Sequence, residues 1–146
     1  MSSENVELLK SALPDDEVDL AEALRSEDPA ALFRNPDLID PDLSVSFAGG
    51  QAGGLPRELE GIAGLLEGWL DWLEPWDSYR IRFEEALDAG DKVVSFATVK
   101  ARTSRYGVEV EHAPAAVWTV RDGRLSAVSF FLDRDKALEY AGVGTR

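Results

Sequence analysis

His112 is the only histidine in the chain and there is no cysteine, so acid–base chemistry near neutral pH rests on one imidazole and on carboxylates. Two carboxylates are candidate partners: Glu84 in a predicted strand and Asp133 at the start of a closing helix. A carboxyl group placed in an apolar pocket has its pKa raised into a useful range. Each of the three also has an ordinary reading: His112 as a bonded strand side chain, Glu84 as a surface charge, Asp133 as a helix N-cap. A single histidine cannot assemble a histidine-rich metal site, and no metal is expected. Ser95 and Ser129 lack any nucleophile-elbow pattern. Gly49, Gly50, Gly53 and Gly54 fit neither a dinucleotide fingerprint nor a P-loop, so no cofactor is implied and the stretch reads as a lid or connector. Arg80, Arg82, Lys100 and Arg102 lie on neighbouring predicted strands. They suit either an anionic substrate group or, the preferred reading, cross-strand pairing with Glu84, Glu109 and Glu111.

The elements that must position these groups centre on Val108 to Ala141, two strands, a tight turn and a short helix. Alternation places His112, Ala116, Trp118 and Val120 on one face, which needs a cover. The strongest helical pattern, Arg57 to Trp76, supplies one: Ile62, Leu65, Leu66, Trp69, Trp72, Leu73 and Trp76 share an arc, with Glu60, Glu67, Asp71 and Glu74 opposite. Gly61, Gly64 and Gly68 make a stripe beside the tryptophans, and three interior glycines at about 1 kcal/mol each imply a closely packed neighbour. Trp69, Trp72, Trp118 and Phe130 are the candidate ligand-lining residues, against the plainer reading of aromatic core.

Earlier in the chain, helices are expected over residues 3–13 and from Glu17 to Arg25, a capped turn from Asp28-Pro29 to Phe33, and a half-buried strand from Leu43 to Phe47. From Tyr79 onward the sequence reads as four consecutive strands. Both faces of the Lys92 to Thr103 strand are apolar, which calls for helices on one side and a further cover, commonly a second subunit, on the other.

A length of 146 residues fits one domain. The net charge of −13 argues against nucleic acid and anionic membranes as partners, and its excess sits at the N-terminus, where residues 1–42 carry 12 acids against 3 bases. The first ten residues lack a signal-peptide pattern and no apolar run is long enough to span a bilayer, so a cytoplasmic protein is expected.

The order of elements, with Asp88-Ala89-Gly90-Asp91 before Val93-Val94, then Val108-Glu109-Val110-Glu111, Val117 to Gly123, and Phe131-Leu132-Asp133-Arg134, resembles the SnoaL-like group of the nuclear transport factor 2 superfamily. The likeness covers residues 43–142 well. Length and local patterning give a single domain over residues 1–146, with residues 1–42 as a helical N-terminal segment that the likeness covers poorly. The resemblance implies an α+β fold, a cystatin/NTF2-like cone in which N-terminal helices pack on a curved, mostly antiparallel sheet that encloses a pocket. A homodimer through the sheet and a small apolar ligand are the expected partners, and an isomerase, cyclase or hydrolase acting on a polyketide-like or terpenoid substrate is the alternative. Ketosteroid isomerase, in the same superfamily, uses an aspartate base and an oxyanion hole of tyrosine and protonated aspartate. The position resembling that protonated aspartate is Ala116, the short strand from Ser44 to Ala48 has no acid, and Phe130 stands where epoxide hydrolases carry an aspartate. Those specific chemistries are therefore not expected.

Overall fold

Among the described residues, period-two alternation produces an eight-stranded unclosed sheet with helices packed on it. The computed structural model describes residues 3–14, 17–27, 33, 35–47 and 57–142. In chain order these form α1 (Ser3–Ala12), β1 (Val18–Asp19), α2 (Leu20–Leu24), a 3-10 turn (Pro36–Leu38), β2 (Ile39–Phe47), β3 (Arg57–Glu60), α3 (Gly61–Leu73) and β4 (Trp76–Ala89). They continue with β5 (Lys92–Thr103), β6 (Glu109–His112), β7 (Ala115–Arg121), β8 (Arg124–Phe131) and α4 (Arg134–Ala141). The strand order is β1-β4-β5-β7-β8-β2-β3, with β6 also on β5, and every pairing is antiparallel except β2 with β8.

The two faces separate as alternation predicts. Tyr79, Ile81, Val93, Ala97, Val99, Ala116, Trp118 and Val128 join Leu9, Leu20, Leu24, Leu65, Trp69 and Leu73 from α1, α2 and α3 in the main core. On the opposite face Val94, Ala115, Val117 and Phe131 form a smaller core with Ala137 of α4, flanked by Phe96 and Leu138. The turn between β7 and β8 holds Asp122 at φ 54° and Gly123 at φ 73°, the paired left-handed residues of a type I′ hairpin. Asp133 caps α4 by accepting from the amides of Asp135 and Lys136, and Gly142 at φ 81° ends it.

Several boundaries differ from the sequence reading, each for a local reason. The helix expected from Arg57 to Trp76 runs only from Gly61 to Leu73. Arg57–Glu60 instead pairs with Ser44–Phe47, because Glu60 is extended and Gly61 takes φ +73°, a turn that no helix interior contains. Downstream, Pro75 has no amide hydrogen with which to continue the helix, and Trp76 opens β4. The Glu17 to Arg25 helix loses its first residues to β1, which pairs with Arg80 and Ile81; Asp19 then caps α2 by accepting from the Glu22 amide. Within residues 1–42, α1 and α2 are helical while β1 and the first residues of β2 are extended. The strand expected from Leu43 begins at Ile39 and passes through Pro41. Where four strands were expected from Tyr79 onward there are five. The Asp28-Pro29 turn and the glycine-bearing stretch 48–56 lie outside the described residues.

The fifth strand arises because Ala113-Pro114 splits one strand into β6 and β7. Val99↔His112 and Phe96↔Ala115 nonetheless belong to one unshifted register. The Ala97 amide donates to the Pro114 carbonyl at 3.2 Å, but Pro114 has no N–H to return. Arg134 supplies the missing donor: one guanidinium nitrogen donates to the Ala97 carbonyl and Nε to the Ala113 carbonyl, each at 3.0 Å, while the group lies 4.9 Å over the Phe96 ring. Replacing it should leave two carbonyls without a protein donor. Arg134→Met is expected to lower unfolding free energy by about 1–3 kcal/mol, with Arg134→Lys between it and the parent, as measured by urea titration at unchanged slope.

Candidate functional site

Tyr79 faces the core because it shares a face of β4 with Ile81 and Phe83. Its amide donates to Asp19 Oδ1 at 3.1 Å, tying β4 to the start of α2. Across β5, Tyr79 stands in a row with Ala101 and Val110, and Ile81 in a row with Val99 and His112. Ala101 is small, so the tyrosine ring reaches diagonally over β5 to the imidazole. The Tyr79 hydroxyl and His112 Nε2 are 3.1 Å apart, and the rings meet edge to face at 5.8 Å. Trp76 closes on the other side of Tyr79, also edge to face, at 5.9 Å. Tyr79 is buried and His112 half-buried. Burial disfavours the charged imidazole, and its pKa falls below the ordinary 6.5.

A second aromatic group lies farther along the same face. Phe33 stacks on Trp69 at 6.0 Å, Trp69 meets Phe130 at 5.6 Å, and Phe130 meets Trp118 edge to face at 6.1 Å. Trp118 has no exposed surface and its indole N–H donates to Ser95 Oγ at 2.9 Å. It is therefore a structural floor, and Phe130, only partly buried, is the nearest ring with surface to spare. Four residues separate His112 from Ala116, the partner of Phe130, so the two aromatic groups stand about 13 Å apart along the strand. Small side chains, Ala97, Ala101 and Ala116, occupy inner-face positions in this part of the sheet.

The sequence-predicted residues divide accordingly. Trp69, Trp118 and Phe130 come together, and His112 shares their face. Glu84 does not join them: it is exposed at the bulge between Phe83 and Glu85. Asp133 is exposed and occupied in capping α4. The side chain of Trp72 lies outside the described part of the chain. Lys100 stands opposite Glu111 and Arg102 opposite Glu109, as expected, and Arg102 adds an ion pair to Asp77 at 2.9 Å. Tyr79 and Trp76 are the residues that sequence reasoning missed as site members. Alternation already turned Tyr79 inward, and a buried tyrosine hydroxyl calls for a partner, but only the three-strand register identifies that partner as His112. A wide groove of about 670 Å³ opens on the far side of α3, lined by Arg25, Leu66, Glu67, Leu70 and Asp71 among others, and none of the predicted residues lines it. Among the described residues no three histidine, aspartate or glutamate side chains come together as metal ligands, and no helix is long and apolar enough to cross a membrane.

The depressed pKa fixes the sign of a pH effect. Unfolded chain takes up the proton near 6.5 and the folded protein only at lower pH, so the unfolded state holds more protons between those values. The stabilisation is complete above pH 6.5 and is lost as pH falls through the folded value. The lone imidazole should titrate below 6.5 by proton NMR, and His112→Phe should flatten the dependence of unfolding free energy on pH just below 6.5.

Residues 18–128 match the SnoaL-like domain family. No curated protein matches the sequence at a significant level. Among solved structures, TerC co-crystallised with polyporic acid is similar at TM-score 0.65 and 22% identity, covering 95% of this chain and 98% of that one. A Catenulispora acidiphila protein with a ketosteroid isomerase-like fold, in complex with trimethylamine, is similar at TM-score 0.59 and 14% identity over 94% of both chains. A protein from Jannaschia sp. CCS1, assigned by name only as a SnoaL-like polyketide cyclase, is similar at TM-score 0.62 and 15% identity over 99% and 95% of the two chains. At these identities the likeness establishes the fold, an α+β arrangement of the ketosteroid isomerase and NTF2-like type.

Proposed function

Because the chain belongs to the SnoaL-like domain family, we propose that it binds a small apolar molecule between α3 and the inner face of the sheet. The observation that carries this reading is the half-buried His112, held by Tyr79, on a face that is otherwise apolar and aromatic. Few polar groups in an apolar surround are the usual make-up of a small-molecule site. TerC, a relative in fold crystallised with polyporic acid, lends support at the level of the fold. Trp76 and Phe130 bound the proposed contact surface from the two aromatic groups.

Small molecules released on denaturing the purified protein should include an apolar compound by mass spectrometry, and adding it back should raise the melting temperature by several degrees, the shift that about 100-fold excess over Kd produces. The reading fails if nothing apolar is recovered and no member of an aromatic compound set stabilises the fold. A second reading, an isomerase, cyclase or hydrolase acting on a polyketide-like or terpenoid substrate, is favoured by one observation: burial keeps His112 neutral and so able to accept a proton. Under that reading His112→Phe abolishes turnover while ligand still binds.

The same proposal includes a homodimer through the sheet. Its support is the second face, where α4 covers Val94, Val117 and Phe131 but Leu87 and Tyr140 stay 38% and 56% exposed. Sedimentation equilibrium should return twice the 16.0 kDa chain mass, and Tyr140→Glu should shift the population toward monomer. A monomer throughout the micromolar range sinks this part.

A further inference from the structure

We infer that the molecule met by His112 is uncharged and carries a phenolic or enolic hydroxyl, which hydrogen-bonds to Nδ1, and that the inner face discriminates against carboxylates and phosphates. This rests on the small-molecule reading above. Three observations carry it.

The first is an open valence on the imidazole. Nε2 is engaged by Tyr79, whereas Nδ1 has no hydrogen-bond partner among the described residues. His112 is only half-buried, so that nitrogen keeps an approach. If the tyrosine hydroxyl donates to Nε2, Nδ1 carries the proton and donates; in the other tautomer Nδ1 accepts. A hydroxyl group donates and accepts, so it serves either tautomer, which a ketone or an ether does not.

The second is the placement of charge. Arg80, Arg82, Lys100 and Arg102 are all exposed, and they alternate with the inward Tyr79, Ile81, Val99 and Ala101. They therefore project from the other face of the sheet, where Glu109 and Glu111 stand opposite Arg102 and Lys100. Of the charged side chains on the helical side, Asp19 and Arg25 bond to the backbone of β4. Asp19 accepts from the amides of Glu22 and Tyr79, and Arg25 donates to the carbonyls of Leu73 and Trp76. The basic side chains of β4 and β5 are thus out of reach of an anion at His112, and burying an unpaired charge is strongly unfavourable.

The third is shape. The partly buried Trp76 stands edge to face against Tyr79, beside His112, so flat aromatic surface lies next to the polar contact. A planar ring system with one hydroxyl matches both the rings and the single polar handle.

Three probes on one ring system separate these features: 2-naphthol, 2-methylnaphthalene and 2-naphthoate, titrated calorimetrically at about pH 7.5, where the imidazole is neutral. 2-Naphthol should bind about tenfold more tightly than 2-methylnaphthalene, the ratio one hydrogen bond provides, and 2-naphthoate should bind more weakly than either. In His112→Phe the first two should become equal. The wild-type protein offers a check that needs no variant: 2-naphthol should move the single imidazole's NMR signals and 2-methylnaphthalene should not. The inference is overturned if 2-naphthoate binds as well as 2-naphthol, if the hydroxyl's advantage survives in His112→Phe, or if the imidazole signals ignore 2-naphthol. Failure of all three probes to bind overturns instead the small-molecule reading beneath it.

Discussion

Pro114 has no amide hydrogen, and a strand that meets a proline in mid-ladder ordinarily ends or slips. Here the guanidinium of Arg134 provides the donor that Ala97 lacks and another for Ala113, so β6 resumes the register that β7 left. Register is the quantity that matters. A slip of one residue would exchange the faces of β6, moving His112 to the charged outer surface and Glu111 toward the core. The Tyr79 contact, the half-burial of the imidazole and its lowered pKa all follow from the unshifted pairing of His112 with Val99. Arg134 belongs to α4, on the opposite side of the sheet, so a structural arginine on one face determines the only histidine on the other.

The aromatic group around Trp69 depends on a second close approach, between α3 and the strands before it. A Cβ on Gly64 would come within 2.9 Å of the Leu59 Cβ, and one on Gly61 within 3.0 Å of the Pro41 carbonyl. Helix α3 therefore sits against β3 and β2 at a spacing that larger residues would widen. That spacing brings Trp69 to Phe130, and Phe130 to Trp118. With Trp118 fully buried and bonded to Ser95, it forms the floor of this face, and the partly buried Phe130 ring packs above it.

The sheet was legible in the sequence because its strands alternate cleanly. Val93, Ala97 and Val99 fell to one face and Val94 and Phe96 to the other, as did Val128 and Phe130 against Phe131. Helix α3 was legible as an aromatic stripe, but its first turn was not. Arg-Glu-Leu-Glu reads as helix by propensity, and it becomes a strand because β2 offers it an edge and Gly61 turns the chain out of it. The glycine stripe was read as evidence of a close neighbour, and for Gly64 that neighbour is the backbone and side chain of Leu59. The site was half legible. His112, Trp69, Trp118 and Phe130 could be assigned to one face by counting, whereas Tyr79 joins His112 only through pairings two strands apart. Glu84 follows the inward Phe83, so alternation alone turns it outward with Arg80 and Arg82, which favours its plainer reading as a surface charge.

Why a histidine should stand there at all is a question of energetics. Its cross-strand neighbour is Val99, the next residue in that row is Ile81, and the ring against it belongs to Tyr79, surroundings that would accept a leucine or phenylalanine with more buried apolar area and no desolvation of a titratable group. The lowered pKa is the thermodynamic trace of that mismatch: folding at mildly acidic pH must leave the imidazole uncharged or bury its charge. One hydrogen bond to Tyr79 offsets part of this, and a neutral hydrogen bond contributes only about 1 kcal/mol. Local rules are broken most often where a molecule must be met, and the imbalance at His112 is of the kind that a ligand's hydrogen bond would redress.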